Sequence, residues 1–213
     1  GIPDERIYRL PREDNWWGPA GTTGPCGPDT EMFIDTGKEK CGPDCRPGCH
    51  CGKYIEIWND VFMQYRVDNA GEKAKLLDNP NIDTGMGVER TICVLNNVKS
   101  SYDVGIFKEV IDFMNEKAEI KNSDETVRSY RILADHLRSS VYILGDEKAI
   151  KPSNIGQGYI LRRFIRRSVN HARKIGLDTK FFADVADLYI DYYSYDYDIL
   201  VQNREQIKSE LQT

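Results

Sequence analysis

Four cysteines crowd one short stretch, Cys41-x3-Cys45-x3-Cys49-x-Cys51, among glycines and prolines. Thiolates are soft ligands, and a loop of this composition can wrap a tetrahedral ion, so Cys41, Cys45, Cys49 and Cys51 predict a structural zinc site. His50 stands between the last two and is an alternative ligand. The spacing departs from paired C-x2-C, and a loop of free thiols is the competing reading. Cys26 and Cys93 stand alone and read as small buried hydrophobes. A second constellation follows Asn81: a short β-type run, then Gly85-x-Gly87, then a helical pattern with Arg90 in its first turn. Glycines there let backbone approach a flat ligand, and a guanidinium can hold a polyphosphate by paired, charge-assisted hydrogen bonds. From spacing alone, a plain strand-to-helix turn with a surface arginine is the better-fitting reading. The third is a basic helix face. Arg162, Arg163, Arg166 and Arg167 form two i,i+4 pairs, with Arg173 and Lys174 beyond them. Such a face suits a phosphate backbone, and the competing reading is a solvated face paired with acidic helices.

These residues need elements to hold them. Thr22–Pro28 is dense in Gly and Pro and predicts a turn-rich segment without regular structure, with a short strand at Glu31–Asp35 and a loop over Thr36–Lys53. Tyr54–Val67 is rich in β-branched and aromatic residues and predicts a long strand. Its alternation puts Ile55, Ile57, Asn59 and Val61 on one face and Glu56, Trp58, Asp60 and Phe62 on the other. Asn59 is then the polar side chain on an apolar face, and a buried Asn needs partners, from substrate or from neighbouring backbone. Asn81–Thr84 predicts another strand, Gly85 and Gly87 a sharp turn, and Val88–Val98 an amphipathic helix. From Ser101 the pattern is helical. Asp103 caps a helix carrying Val110, Ile111 and Met114. Ser123 caps one whose apolar stripe runs Val127, Tyr130, Leu133, Leu137, Val141, Leu144 and closes at Gly145. Gln157–Ile175 and Thr179–Ser194 predict two more, after a loop at Lys151–Gly156. His136 and His171 read as packing or solvated residues. The fold class is α+β, with a mixed part over 1–101 and an all-helical part over 102–213.

Composition agrees with a soluble globular chain: 213 residues, 40% hydrophobic, 30% charged and a net charge of −5. The acidic balance gives no general reason to expect nucleic acid, which confines that expectation to the arginine face. No apolar run is long enough to span a bilayer, and the N-terminus carries no secretory signal pattern, so a cytoplasmic setting is expected. The chain opens at Gly1-Ile2-Pro3 without a methionine, as a piece cut from a larger protein would.

The run Gly85-Met86-Gly87-Val88-Glu89-Arg90 resembles the third signature of class II aminoacyl-tRNA synthetases, and with Asp83-Thr84 before it resembles their alanine-specific branch. The likeness extends to Asn15-Trp16-Trp17 followed by TTGPCGP, to YIEIWNDVFMQY, and to PSNIGQGYILRRFIRR, in matching order. It implies that 1–101 is the later part of an antiparallel-sheet catalytic domain and 102–213 a helical tRNA-recognition domain. It implies alanine binding by Trp17, Asn59, Val61, Asp83 and Gly85, with Asp83 on the ammonium group, and ATP binding, with Mg²⁺, by Arg90 and Gly87. It implies binding of the tRNA(Ala) acceptor stem by Asn154, Arg162, Arg163, Arg166 and Arg167, Asn154 helping to read a G·U wobble pair. Ile155 and Gln157 stand where the family usually has Glu and Arg. No catalytic acid or base is implied. The first two class II signatures are not found in the chain, so it is expected to need the N-terminal and C-terminal remainder of the same synthetase and to be inactive alone. The competing functional readings are a non-catalytic RNA-binding paralogue or split subunit, and a zinc-stabilised module whose arginine face binds an acidic protein.

Overall fold

The computed structural model describes residues 1–148 and 150–212. They divide into two compact units meeting at Asn97 and Val98, and the fold is α+β.

The first unit is a four-stranded antiparallel sheet in the order β1-β2-β3-β4, where β1 is Trp16–Trp17, β2 Gly24–Asp35, β3 Tyr54–Val67 and β4 Lys75–Met86. β3 has the bounds its β-branched and aromatic run predicts. β2 starts earlier than expected. The TGPCGP segment does not stay irregular, because β3 supplies a ladder for it, and the strain of its prolines and glycine is absorbed by a break in register between Cys26 and Asp29. β4 is longer too. Pro80 lies in the gap between the pairs Met63↔Asn81 and Tyr65↔Leu76, where a missing N–H breaks no ladder. Gly85 belongs to this strand, opposite Asn59, so the turn is confined to Gly87. Helix α1, Val88–Leu95, follows directly and ends at Asn96 and Asn97, the latter with φ 53°.

The second unit is helical: α2 Gly105–Lys117, α3 Val127–Gly145, α4 Gly156–Lys174, α5 Phe182–Tyr193, α6 Asp198–Gln202 and α7 Arg204–Gln212. Caps differ in detail from expectation. Asp103 ends a 3-10 turn whose cap is Ser100, and Thr126, not Ser123, precedes α3. The predicted stripe of α3 is the heart of the core. Tyr130, Leu133, Leu137, Val141 and Leu144 are fully buried, against Val110 and Met114 of α2 and Phe182, Val185, Tyr189 and Ile190 of α5. The two fully buried tyrosine hydroxyls at its centre are satisfied. Tyr189 donates to the Ala134 carbonyl at 2.7 Å and Tyr130 to that of Ile120 at 2.9 Å. Where α3 meets α4, small serines replace apolar bulk. Ser140 donates back to the His136 carbonyl at 2.7 Å and Ser168 to that of Phe164 at 3.0 Å, so each buried hydroxyl is satisfied within its own helix. Ser129 meets His171 Nδ1 at 3.0 Å, and further along the crossing the His136 ring packs on Phe164 with centroids 4.8 Å apart.

Candidate functional site

On the sheet, register decides which side chains share a face. Residues directly opposite in antiparallel strands point the same way. Val61 opposes Asp29 on β2 and Asp83 on β4, which makes one row; Asn59 opposes Glu31 and Gly85, which makes the next. Asn59, Val61, Asp83 and Gly85 are thus brought together, and Trp17 joins the sheet through its pair with Gly27. Gly85 leaves the space beside Asn59 open, with nothing within 4 Å of where its Cβ would stand. Asp29 and Glu31 were not singled out from sequence, because a strand placed only at Glu31–Asp35 gives no register.

The rows are electrostatically unfinished. Asn59 Nδ2 donates to Asp29 Oδ2 at 3.3 Å and to Glu31 Oε1 at 3.4 Å. Asn59 Oδ1 and Asp29 Oδ1 are buried without a partner among the described residues. Burial, then the neighbouring carboxylates of Glu56, Asp29 and Asp14, push the Glu31 carboxyl above its ordinary range. A cationic ligand would relieve both conditions. At the end of the row Arg90 folds back over Gly87 and donates to the Glu56 carbonyl at 3.0 Å and its carboxylate at 3.5 Å, with its side chain 53% exposed. Such a half-exposed pair is weak, so the guanidinium is free to exchange Glu56 for a phosphate.

The cysteine loop closes on itself between β2 and β3. Its base is fixed by Thr36 N–H to the Lys53 carbonyl at 2.7 Å, Thr36 Oγ1 to the Gly52 carbonyl at 2.8 Å, and a Lys53–Asp35 pair at 2.9 Å. The Sγ atoms of Cys41, Cys45, Cys49 and Cys51 lie within 4.8 Å of one another, with Cys41–Cys49 at 3.4 Å and Cys45–Cys51 at 3.6 Å. A tetrahedral zinc with bonds of about 2.3 Å needs sulfur–sulfur edges of about 3.8 Å. These separations fit that ion and are far too long for disulfides. His50 is exposed and lies outside the cluster. Hydrogen bonding, led by Cys49, pushes the Cys41 thiol up to about 12, while the Lys53 backbone N–H brings Cys51 down to about 7.

On the helical unit, α4 carries the basic face. A groove of about 420 Å³ is lined by His136, Tyr159, Phe164 and Asn170 with Arg162, Arg163, Arg166 and Arg167. Two acidic groups of this unit pair elsewhere, Asp187 with Arg204 and Lys208, and Glu210 with Lys151. Among the described residues none of the four arginines forms an ion pair, although the Asp135 carboxylate feels the charge of Arg167. Arg162 donates to the side-chain oxygen of Asn154. An arginine can only donate, so this contact assigns the amide oxygen and leaves the NH₂ of the exposed Asn154 as a donor. The loop before α4 is pinned by Gly158, whose Cβ would meet Ser153 Oγ at 2.4 Å and the Lys151 carbonyl at 2.5 Å. His136, expected to pack or to be solvated, lines the groove.

The family model described as tRNA synthetases class II (A) matches residues 1–213. The chain is 54% identical over 185 residues to an alanine–tRNA ligase of Treponema denticola, covering 86% of the chain and 31% of that protein. Alanine–tRNA ligases of Borrelia hermsii and Treponema pallidum are 50% and 48% identical over 213 residues, 99% of the chain and 36% and 35% of those proteins. The chain thus spans about a third of the length of the curated relatives it matches. No helix among the described residues is long and apolar enough to cross a membrane.

Proposed function

The chain belongs to the class II (A) tRNA synthetases, and from that premise we propose that it carries the later part of the alanine-activating site and the acceptor-stem-binding helices of a cytoplasmic alanine–tRNA ligase. The observation that carries this reading is the pair of cross-strand rows, Asp29–Val61–Asp83 and Glu31–Asn59–Gly85, with Arg90 beyond them. Within it, Asp83 takes the ammonium of alanine, and Asn59, Val61 and Trp17 bound the small side-chain space beside Gly85. Arg90, released from Glu56, takes ATP phosphate, and Gly87 lets the backbone come close. Asp29 and Glu31 are hard oxygen donors that fit the Mg²⁺ accompanying ATP, which when bound neutralises phosphate charge. The chain's own part is positioning and charge stabilisation of the attack of the alanine carboxylate on the α-phosphate, which breaks the bond to the β-phosphate and releases pyrophosphate. Alanyl-adenylate then passes its acyl group to the tRNA 3′ end. The cysteine cluster is a structural zinc site that fixes the loop between β2 and β3.

Alanine-dependent ATP–pyrophosphate exchange tests the catalytic half. The chain alone is expected to give background exchange, and the chain supplied with the N-terminal segment of a related ligase to restore it. Exchange by the chain alone would show that the two other class II signatures are dispensable. No exchange in either case, with both pieces folded, would favour an RNA-binding paralogue.

For the helical unit, α4 supplies phosphate contacts and Asn154, held by Arg162, offers its NH₂ to acceptors in the shallow minor groove of an RNA stem. Arg166→Ala is expected to weaken every RNA stem alike and to reduce the slope of log K against log salt by about 1, as for one lost phosphate contact. Asn154→Ala is expected to leave that slope unchanged and to erode the preference for a G·U pair over G·C. Fluorescence-anisotropy titrations at several salt concentrations measure both, and an unchanged wobble preference in the Asn154 variant would overturn its assignment.

A further inference from the structure

His136 has no place in the reading so far. It is 8% exposed, stacks on Phe164 at 4.8 Å, and lines the arginine groove. Its Nδ1 lies 2.9 Å from Asp135 Oδ2. That hydrogen bond, more than any other cause, holds the Asp135 carboxyl below its ordinary range, so the carboxylate is ionised and can only accept. In the neutral ring the proton therefore sits on Nδ1, and Nε2 carries a lone pair. Nε2 is buried and has no partner among the described residues. A buried acceptor without a donor is uncommon, because leaving it unmade forfeits a full desolvation penalty. Its helix position does not relieve it: Ser140 bonds the His136 carbonyl, not the ring.

We propose that His136 Nε2 accepts a hydrogen bond from a ribose 2′-hydroxyl of an RNA duplex bound along α4, making this groove selective for RNA over DNA. This rests on the reading of the arginine face as an RNA-binding surface and goes beyond it. The argument is one of matched chemistry. Arg162, Arg163, Arg166 and Arg167 in the groove's lining can only donate, which suits phosphate oxygens. What its floor lacks is a donor. A phosphate has none to give, whereas a 2′-hydroxyl does, and it is the group that distinguishes RNA from DNA in the wide minor groove. Arg163, Arg166 and Arg167 are exposed side chains. Phosphates would draw their guanidinium groups outward and open the ring edge beneath.

The test is a set of binding titrations with the full chain, using an acceptor-stem RNA duplex, the DNA duplex of the same sequence, and RNA duplexes bearing one 2′-deoxyribose at a time. The wild-type chain is expected to lose about five- to tenfold in affinity when one particular ribose is deoxygenated, the effect of a single hydrogen bond. In His136→Phe, which keeps a ring against Phe164, that substitution is expected to make no difference. In His136→Gln, whose carbonyl can accept, part of the effect is expected to return. Arg166→Ala should weaken the RNA and its deoxy versions by the same factor. Equal loss of RNA and DNA affinity in His136→Phe would mean a phosphate contact and would overturn the proposal, as would ribose selectivity surviving in that variant. Absence of any RNA binding by the wild-type chain would reject the RNA reading of the groove itself, a distinct failure. If neither variant folds, the wild-type scan decides: no sensitive ribose, no 2′-hydroxyl contact.

Discussion

Gly27→Ala is expected to unfold the sheet unit. A Cβ at this position would stand 1.8 Å from the Phe62 carbonyl oxygen, 2.8 Å from the carbon that bears it and 3.2 Å from the Gln64 nitrogen. All three are backbone atoms of β3, so no side chain can swing away; the strands themselves must separate. They would separate at the centre of the sheet, where β2 pairs β3 on one edge and β1 on the other. The unit has little to offset this. Its buried apolar side chains are few, chiefly Cys26, Val61, Met63, Val67 and Cys93, while Leu76, Ile82 and Leu95 stand largely exposed. Backbone clashes of this size belong to the exceptional class of substitutions costing more than about 4 kcal/mol, against a total stability on the order of 5–15 kcal/mol. Tryptophan fluorescence reports this unit alone, because all three tryptophans, Trp16, Trp17 and Trp58, lie within it. Gly21→Ala is the matched control: nothing lies within 4 Å of its Cβ position, and its melt should superimpose on the wild type. A Gly27→Ala melt within a few degrees of wild type would show that the strands part at little cost, and the account of β2 would be wrong.

That glycine also shows what sequence reading reached and what it missed. β3 was legible because fourteen residues of one propensity and one alternation need no partner to be recognised. β2 was half legible: Gly24-Pro25-Cys26-Gly27-Pro28 reads as a breaker, and only the neighbouring ladder makes it a strand. Pro80 hid the first half of β4 in the same way. Losing the first half of β2 from the reading lost its register, and with it Asp29 and Glu31 as neighbours of Val61 and Asn59, since neighbours across a sheet follow from register and from nothing local. Asn59 was found because its own strand was found. The arginine face of α4 was legible from i,i+4 spacing, and the buried stripe of α3 from the same period. His136 was not, because its place beside Phe164 is created by the crossing of α3 and α4, where Ser140 and Ser168 allow close approach. The last two helices went unread for another reason. Arg204–Gln212 buries only Ile207 and Leu211 and is held also by Arg204 and Lys208 on Asp187, a tertiary contact with no local signature.

Removing zinc is expected to loosen the segment between β2 and β3 without melting the strands that flank it. The purified chain should carry about one equivalent, and less than about 0.3 equivalents would refute the site. In small zinc domains the metal supplies about 10–16 kcal/mol of apparent binding energy and therefore the whole fold. Here the loop's base is closed independently, by Thr36 on the Gly52 and Lys53 carbonyls and by Lys53 on Asp35 and the Lys38 carbonyl. What the metal alone would organise is the tip, Cys41 to Cys51, whose glycines and prolines bury little beyond Cys45, itself 6% exposed. Two readouts should then part company. Trypsin is expected to cut after Lys40 at least tenfold faster once a chelator has stripped the ion, because the scissile bond enters the metal cluster at Cys41 and must leave it to fit a protease. Tryptophan fluorescence, reporting β1 and β3, is expected to change little. Cys45→Ser should reproduce the chelated state, being the ligand whose removal leaves the deepest position unfilled, whereas His50→Ala should keep both the zinc and the protection. Unchanged proteolysis after chelation would mean that the hydrogen bonds at the base suffice to order the tip. Collapse of the fluorescence together with the loop would instead make the ion part of the sheet's own stability, and with it part of what holds Asp29 and Glu31 beside Asn59.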